Sequence, residues 1–470
     1  MSYEIARNHE IHDAHQRVID IFARTYRSGK PTIVLLPGGM GSHLDRSTRP
    51  FVNDQSIPFP MYDPVWMDVE MIFGRDLELL RMEANGHDAG EHMIIPTGPL
   101  QFLVNAYDGT RRFFEDLGWN YIVFGYDWRR SLEEAASQLS EFLVNLRDRV
   151  KDLRDFDPLP TTTLLAHSQG GLVGKIFLQS VSGDDGGGIG AWMKRFVTIG
   201  TPFYGTTSHQ DRYYQGQSPL NIFYGKRRVA EIAGSLPGPY VLMFADQTAL
   251  DAATQAKLGL AGYPITDSAT GAPADPYDPA NFGRYPPWVN PTYLEDSVLA
   301  RETIVADLPG PVAKRVFHIR SGLNTKTASG LKWAPVVGAS YDPASAVSPI
   351  TAVAGKGDGT VPFWSGRLAQ IPDAQVYDLK QAADHGGLAE HAETLAVVRK
   401  LVETGTMPKP AAVTAAIAAM PAATLGTPKA SQPKTSKWIA DARLGKLKKG
   451  EPRANDPEVW RRILEEAQLC

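Results

Sequence analysis

The stretch TTTLLAHSQGGLVGKIFLQ, residues 161–179, constrains this chain more than any other. Thr161–Leu165 has the β-branched and apolar make-up of a buried strand, which ends at Ala166. A turn follows at His167-Ser168-Gln169-Gly170-Gly171, and a helix then runs through Leu178 and Gln179. This order presents one serine on a sharp strand-to-helix turn. A serine hydroxyl attacks only when it is exposed in this way beside a base. The turn forces the serine backbone into a strained conformation. Strand and helix nearly touch there, so the residues two before and two after must be small, as Ala166 and Gly170 are. The helix N-terminus facing the serine favours developing negative charge.

The rest of the chain repeats the strand-then-helix rhythm. Thr32–Leu36, Tyr121–Phe124, Arg195–Ile199, Arg315–Arg320 and Gln375–Leu379 read as further short strands. Ser131–Leu153 and about Leu388 to Val402 carry apolar residues at helical spacing. This alternation predicts an α/β fold with a mostly parallel, doubly wound sheet. Two long segments interrupt it. Residues 45–99 are aromatic and read as a lid. Residues 203–311 are rich in Pro, Gly and Tyr and read as a cap. The expected main α/β domain spans 31–403.

Before this domain, residues 1–30 read as a polar helix, with His9, His12 and His15 on a solvated face. After it, residues 404–437 read as a flexible Ala/Pro/Lys linker and 438–470 as a helical tail. Eight Lys/Arg against one Asp between Thr404 and Gly450 make this end basic. It is expected to be either a solvated appendage or an element that docks a partner or an anionic surface. Net charge is −4, so no basic field points to nucleic acid. The single cysteine, Cys470, allows no internal disulfide, and no signal peptide or transmembrane run is visible. A cytoplasmic protein is expected, either peripheral to a membrane or exported by a signal-independent route. No cofactor and no metal are expected, and the oligomeric state is left open.

An acyl-transfer site needs two amides aimed at the developing oxyanion. Gln169, after the serine, is one candidate. Gly39, in Pro37-Gly38-Gly39-Met40-Gly41, is the other. That loop fits neither nucleotide-binding spacing, G-x-G-x-x-G nor G-x-x-x-x-G-K. The chain order serine, acid, histidine nominates Asp358, between two glycines 190 residues beyond Ser168. Asp342, Asp378 and Asp384 are its rivals. His385, 27 residues further on in a glycine loop, is the expected base, with His391 as the rival. His167 faces away from the serine by strand alternation and reads as a packed core residue.

These pieces together resemble the lecithin:cholesterol acyltransferase family of α/β-hydrolases, which includes lysosomal phospholipase A2-like enzymes. The matching motifs are LLPGGMGSHL, YDPVW, FGYDWRRS, AHSQGG, FVTIGTPFYG, SLPGPYVLM, HIRSGLNT and GDGTVP, in family order from about residue 32 to 400. The resemblance implies a phospholipid or acylglycerol ester as acyl donor. It implies Ser168 as nucleophile, Asp358 as acid, His385 as base, and Gly39 and Gln169 as oxyanion donors. It also places residues 57–74 in a lid that touches the membrane. Met40, Phe59, Tyr62, Trp66 and Trp128 are the expected substrate or lid contacts, and Met67, Met71 and Phe73 add to that apolar surface. The leading expectation is a serine lipid acyl hydrolase, with acyl transfer to a lipid alcohol as a variant. A carboxylesterase for smaller esters and a non-catalytic interaction protein are the alternatives.

Overall fold

The computed structural model describes residues 3–47, 62–66, 77–90, 93–99, 107–183, 187–216, 225–334, 341–343 and 348–420. Phe59, Met67, Met71, Phe73 and the tail beyond 420 therefore lie outside the described residues. Helix α1 (Tyr3–Thr25) leads into β1 (Thr32–Leu36). A small antiparallel sheet follows from β2 (Ser42–Ser47), β3 (Tyr62–Pro64) and β4 (Met93–Pro99). Next come α2 (Asp108–Asp116), β5 (Asn120–Val123), α3 (Leu132–Arg154), β6 (Thr162–His167), α4 (Gln169–Val181) and β7 (Arg195–Ile199). The segment after β7 holds α5 (Thr207–Gln215), shorter helices, β8 (Ile265–Asp267) and α6 (Pro291–Val305). The chain returns through β9 (Val316–Arg320), β10 (Asn324–Trp333), β11 (Ile350–Gly357) and β12 (Val376–Asp378). It then ends its described part in α7 (Ala392–Thr404) and α8 (Pro410–Ala418).

The central sheet has the order β12-β9-β7-β6-β1-β5, and every pairing in it is parallel. Helices cover both faces, which explains why its strands are apolar throughout rather than alternating. Side-chain alternation then splits the interior in two. Val34, Leu36, Ile122, Leu164 and Phe196 pack with α1, α3 and α4. Ile33, Leu35, Val123, Leu165 and Val197 pack with α2, α7 and α8 on the opposite face. The six strands read from the sequence are the six strands of this sheet. The β10–β11 hairpin was not anticipated, and it pairs with β8 as a separate three-stranded sheet. Among the described residues no helix is long and apolar enough to cross a membrane.

Two expectations about the ends of the chain are corrected. Of the three histidines expected on a solvated face of α1, His9 and His12 are solvent-accessible but His15 is not. Ile11, His15, Ile19 and Phe22 are buried, and the His15 ring bonds the Gly125 carbonyl at 2.8 Å between Phe124 and Phe142. The polar composition misled because Arg7 and Glu10 are buried as well, Arg7 through ion pairs to Asp127 and Glu134. The expected linker also begins too early. Pro410 opens helix α8, and Val413, Ala416 and Met420 close over the α7 core. Alanine favours helix strongly, so an Ala-rich run next to an apolar face folds.

Candidate active site

Ser168 sits between β6 and α4 with φ 52° and ψ −125°, a strained conformation for a residue with a side chain. Its neighbours show why the turn needs small residues. A Cβ on Gly170 would stand 2.4 Å from the Leu36 carbonyl oxygen, so helix and strand could not approach with any side chain there. The serine is only partly buried, which leaves its hydroxyl open to the cleft.

His385 reaches this hydroxyl from the loop before α7. Its Nε2 lies 2.8 Å from Ser168 Oγ, and its Nδ1 lies 2.8 Å from Asp358 Oδ2. Asp358 follows β11 and is itself fixed, because its other oxygen accepts the Thr360 and Val361 amides at 3.0 and 2.7 Å. The backbone ties the pair together again, with the His385 amide donating to the Asp358 carbonyl at 3.0 Å. Gly200 makes room for them. At φ 56° its missing Cβ would meet Asp358 Oδ2 at 3.0 Å and His385 Cε1 at 3.4 Å. Of the rivals, Asp378 is paired with Arg320 and His391 precedes α7 as its cap residue.

Gly39, Met40, Gln169 and Trp128 line the cleft beside Ser168. The Tyr126–Arg129 turn, quoted above only as a motif, has a clear physical role. The Tyr126 hydroxyl donates to the Pro37 carbonyl at 3.0 Å, and the Trp128 carbonyl accepts the Gln169 side-chain amide at 3.3 Å. Glycine loop and elbow are therefore held against one another. Trp66 does not reach the cleft as expected. It is fully buried, donates its indole N–H to the Met40 carbonyl at 2.7 Å and packs edge-on against Trp128. It shapes the cleft wall from behind. Only the backbone of Tyr62 is described, in β3.

His167 is buried as expected, and it also joins the site's parts. Its Nε2–H donates to the His385 carbonyl at 3.0 Å, so its Nδ1 accepts from the Tyr107 hydroxyl at 3.0 Å. Tyr107 in turn accepts the Gly38 amide at 2.8 Å. Burial, then the neighbouring His385, lowers the His167 pKa to about 3, so the ring stays neutral and the relay keeps its direction. Sequence reasoning missed Tyr107, because nothing local to it signals a partner 60 residues away.

The cleft encloses about 770 Å³ including its open mouth. Its floor comes from the sheet edge and its far wall from the segment after β7, through Thr206, His209, Tyr213, Leu236 and Leu242. Among the described residues no group of three or more His, Cys, Asp or Glu is placed to hold a metal. A partly buried serine hydroxyl facing a histidine backed by a carboxylate can be deprotonated and can attack an ester.

The lecithin:cholesterol acyltransferase family matches residues 118–227, a stretch that contains Ser168 and the Tyr126–Arg129 turn but neither Asp358 nor His385. Two solved structures are similar to the chain. One, the crystal structure of a Tle4–Tli4 complex, is 14% identical with a TM-score of 0.50, covering 80% of this chain and 99% of that one. The other, the mature lipase BlEst2 of Bacillus licheniformis, is 13% identical over 80% of this chain and 93% of that one. Its TM-score is 0.32, too loose a superposition to add to the first. No curated protein matches the sequence. At such identities the likeness speaks for the fold, and the fold is that of the α/β-hydrolases.

Proposed function

We propose that this chain is a serine-dependent lipid acyl hydrolase that works through an acyl-enzyme on Ser168. The observation that carries the reading is the unbroken chain from Ser168 Oγ through His385 to Asp358, at 2.8 Å on each side of the ring. The family match supports lipid esters as the substrate class. The apolar share of the cleft wall, from Met40, Leu236, Leu242 and Val361, supports an acyl chain as the occupant.

In this reading Ser168 Oγ attacks the ester carbonyl carbon while His385 Nε2 takes its proton. Asp358 holds the ring through Nδ1 and stabilises the imidazolium. The amides of Gly39 and Gln169 receive the negative oxygen. The C–O bond to the leaving alcohol breaks, and His385 returns the proton to that alcohol. Water then attacks the acyl-enzyme, again losing a proton to His385; the bond between the acyl carbon and Ser168 Oγ breaks, His385 returns the proton to Oγ, and the fatty acid leaves. A lipid alcohol in place of water would give an acyl ester by the same steps. The proposed substrate is a phospholipid or acylglycerol ester drawn from a membrane surface.

The test incubates the purified full chain, and its Ser168→Ala variant, with vesicles of mixed phospholipid and sterol, followed by mass spectrometry of all lipids. Free fatty acid and lysolipid from the unmodified chain alone are expected. New acyl esters in place of the free fatty acid, with lysolipid still released, would make transfer the main reaction. Equal products from both proteins would overturn the role of Ser168.

A further inference from the structure

The proposed chemistry uses one wall of the cleft. The opposite wall carries polar groups that it leaves unused. Helix α5 presents His209, Arg212 and Tyr213 to the same cleft as Ser168, at the i, i+3 and i+4 spacing that places side chains on one helix face. These groups offer more hydrogens than the acceptors around them take up.

Arg212 donates through Nη1 to His209 Nε2 at 2.9 Å. The histidine proton must then sit on Nδ1, and that atom is buried with no hydrogen-bond partner among the described residues. Tyr213 is 1% exposed, and its hydroxyl is likewise buried and unpartnered among them. The indole N–H of Trp128, which also lines the cleft, is a further buried donor without a partner there. Among the described residues no carboxylate pairs with Arg212. The adjacent Asp211 is engaged elsewhere, accepting from the Ser348 hydroxyl at 2.9 Å. Burial lowers the Arg212 pKa only to about 10, so the guanidinium keeps its charge at neutral pH.

A partly buried cation with unpaired donors around it is costly to leave without a counter-charge, and a ligand can supply the missing negative charge and acceptor oxygens. A phosphodiester supplies both, and a guanidinium fork matches its oxygens. In a glycerophospholipid the phosphate and the acyl carbonyls hang from one glycerol, so a single molecule can present an ester to Ser168 and an anion to the facing wall. A neutral acylglycerol brings no such group.

We propose that Arg212 and His209, with Tyr213 beside them, form a subsite for the headgroup phosphate, so that a phospholipid is preferred over a neutral acylglycerol. This inference rests on the serine ester hydrolase reading and decides between the two acyl donors that reading leaves open.

The test compares the full chain with Arg212→Gln, Arg212→Lys and His209→Gln on phosphatidylcholine and on diacylglycerol of the same acyl chains, in identical mixed micelles. The expected result is a strong preference of the unmodified chain for phosphatidylcholine, in kcat/KM. Arg212→Gln should cut that preference roughly 30-fold, mainly through KM, in keeping with the loss of a charged hydrogen bond. Arg212→Lys should restore part of it, and His209→Gln should cost less than Arg212→Gln. In parallel, inorganic phosphate should compete with p-nitrophenyl butyrate in the unmodified chain but much less in Arg212→Gln. If Arg212→Gln does not fold, Arg212→Lys and His209→Gln carry the test, each read by substrate preference and by phosphate competition against the unmodified chain. A substrate preference that Arg212→Gln leaves intact overturns the subsite. So does phosphate inhibition without any preference for the phospholipid, which would mark a site for free phosphate only. Ser168→Ala separates the two failures. If it abolishes butyrate hydrolysis while the headgroup preference is absent, the hydrolase reading stands and the subsite falls. If it leaves hydrolysis intact, the hydrolase reading falls, and phosphate binding by calorimetry, present in the chain and lost in Arg212→Gln, then decides the subsite alone.

Discussion

Holding Ser168 at φ 52° costs of order 1–3 kcal/mol, and only the surrounding packing keeps it there. Glycine tolerates that backbone region where residues with a Cβ do not. Ser168→Gly should therefore be more stable than Ser168→Ala by roughly 1 kcal/mol, while both lack activity. Urea denaturation with equal m-values would measure the difference. Equal midpoints for the two variants would mean that the turn stores no strain. Residue identity at this point was readable in the chain because the strand–turn–helix pattern around Ser168 is local, although the partners of Gly170, Gln169 and Ser168 (the Leu36 carbonyl, the Trp128 carbonyl and His385) are distant in it. The roles of Trp66 and Tyr107 were not. Trp66 looked like a surface aromatic in an apolar stretch, but its partner is the Met40 carbonyl, 26 positions away.

At the scale of elements, the join of α1, the Tyr126–Arg129 turn and α3 rests on charge. Asp127 receives Arg7 at 3.1 Å and Arg129 at 2.7 Å, and Arg129 also reaches Asp88 at 2.7 Å, all with side chains almost wholly buried. Burial works against ionisation of Asp127, but Arg129 and then Arg7 outweigh it and hold the carboxyl well below its ordinary range. Removing one partner from such a network strands the others. Asp127→Asn should cost about 3–5 kcal/mol of unfolding free energy. The loss should extend to activity, because the same turn holds Pro37 and Gln169. An exposed pair such as Arg399–Glu403 should cost under about 0.5 kcal/mol on removal. Chemical denaturation of the two variants provides the comparison, and a loss at Asp127 no larger than at Glu403 would refute the network's role. Helix α1 was legible as a helix, but its burial was not. A buried arginine and a solvated one look alike in a sequence.

The whole molecule should be acid-labile for a reason distributed over its core. His15 on α1, His167 on β6 and His318 on β9 are buried, and desolvation lowers their pKa values to about 4, 3 and 3. All three are neutral in the fold, whereas the unfolded chain binds protons near pH 6.5. Below pH 6.5 the unfolded state thus holds more protons, and stability falls as pH falls. The contribution is fully present above about 6.5 and is lost progressively toward the folded values. At pH 5.5 the three together remove about 3–4 kcal/mol relative to pH 7.5, at about 1.4 kcal/mol per histidine per pH unit. Urea unfolding at the two pH values measures this, and His318→Asn should reduce the fall by about a third. An unchanged unfolding free energy across the window would refute the account.

What could be read without coordinates follows the range of the forces involved. Strand and helix periodicity, the elbow turn and the glycine loops depend on neighbours in the chain, and they yielded all six central strands and the residues that meet at Ser168. The parallel order of those strands brings Ser168, Asp358 and His385 together across 217 positions. Chain order along the sheet suggested that meeting, but only folding set its 2.8 Å distances. The β10–β11 hairpin escaped notice because most of β11 faces solvent and carries little apolar pattern. The donor wall on α5 escaped for a related reason. Whether a partly buried arginine has a carboxylate beside it is a property of the packed chain, where an unmade ion pair carries a cost that no local pattern records.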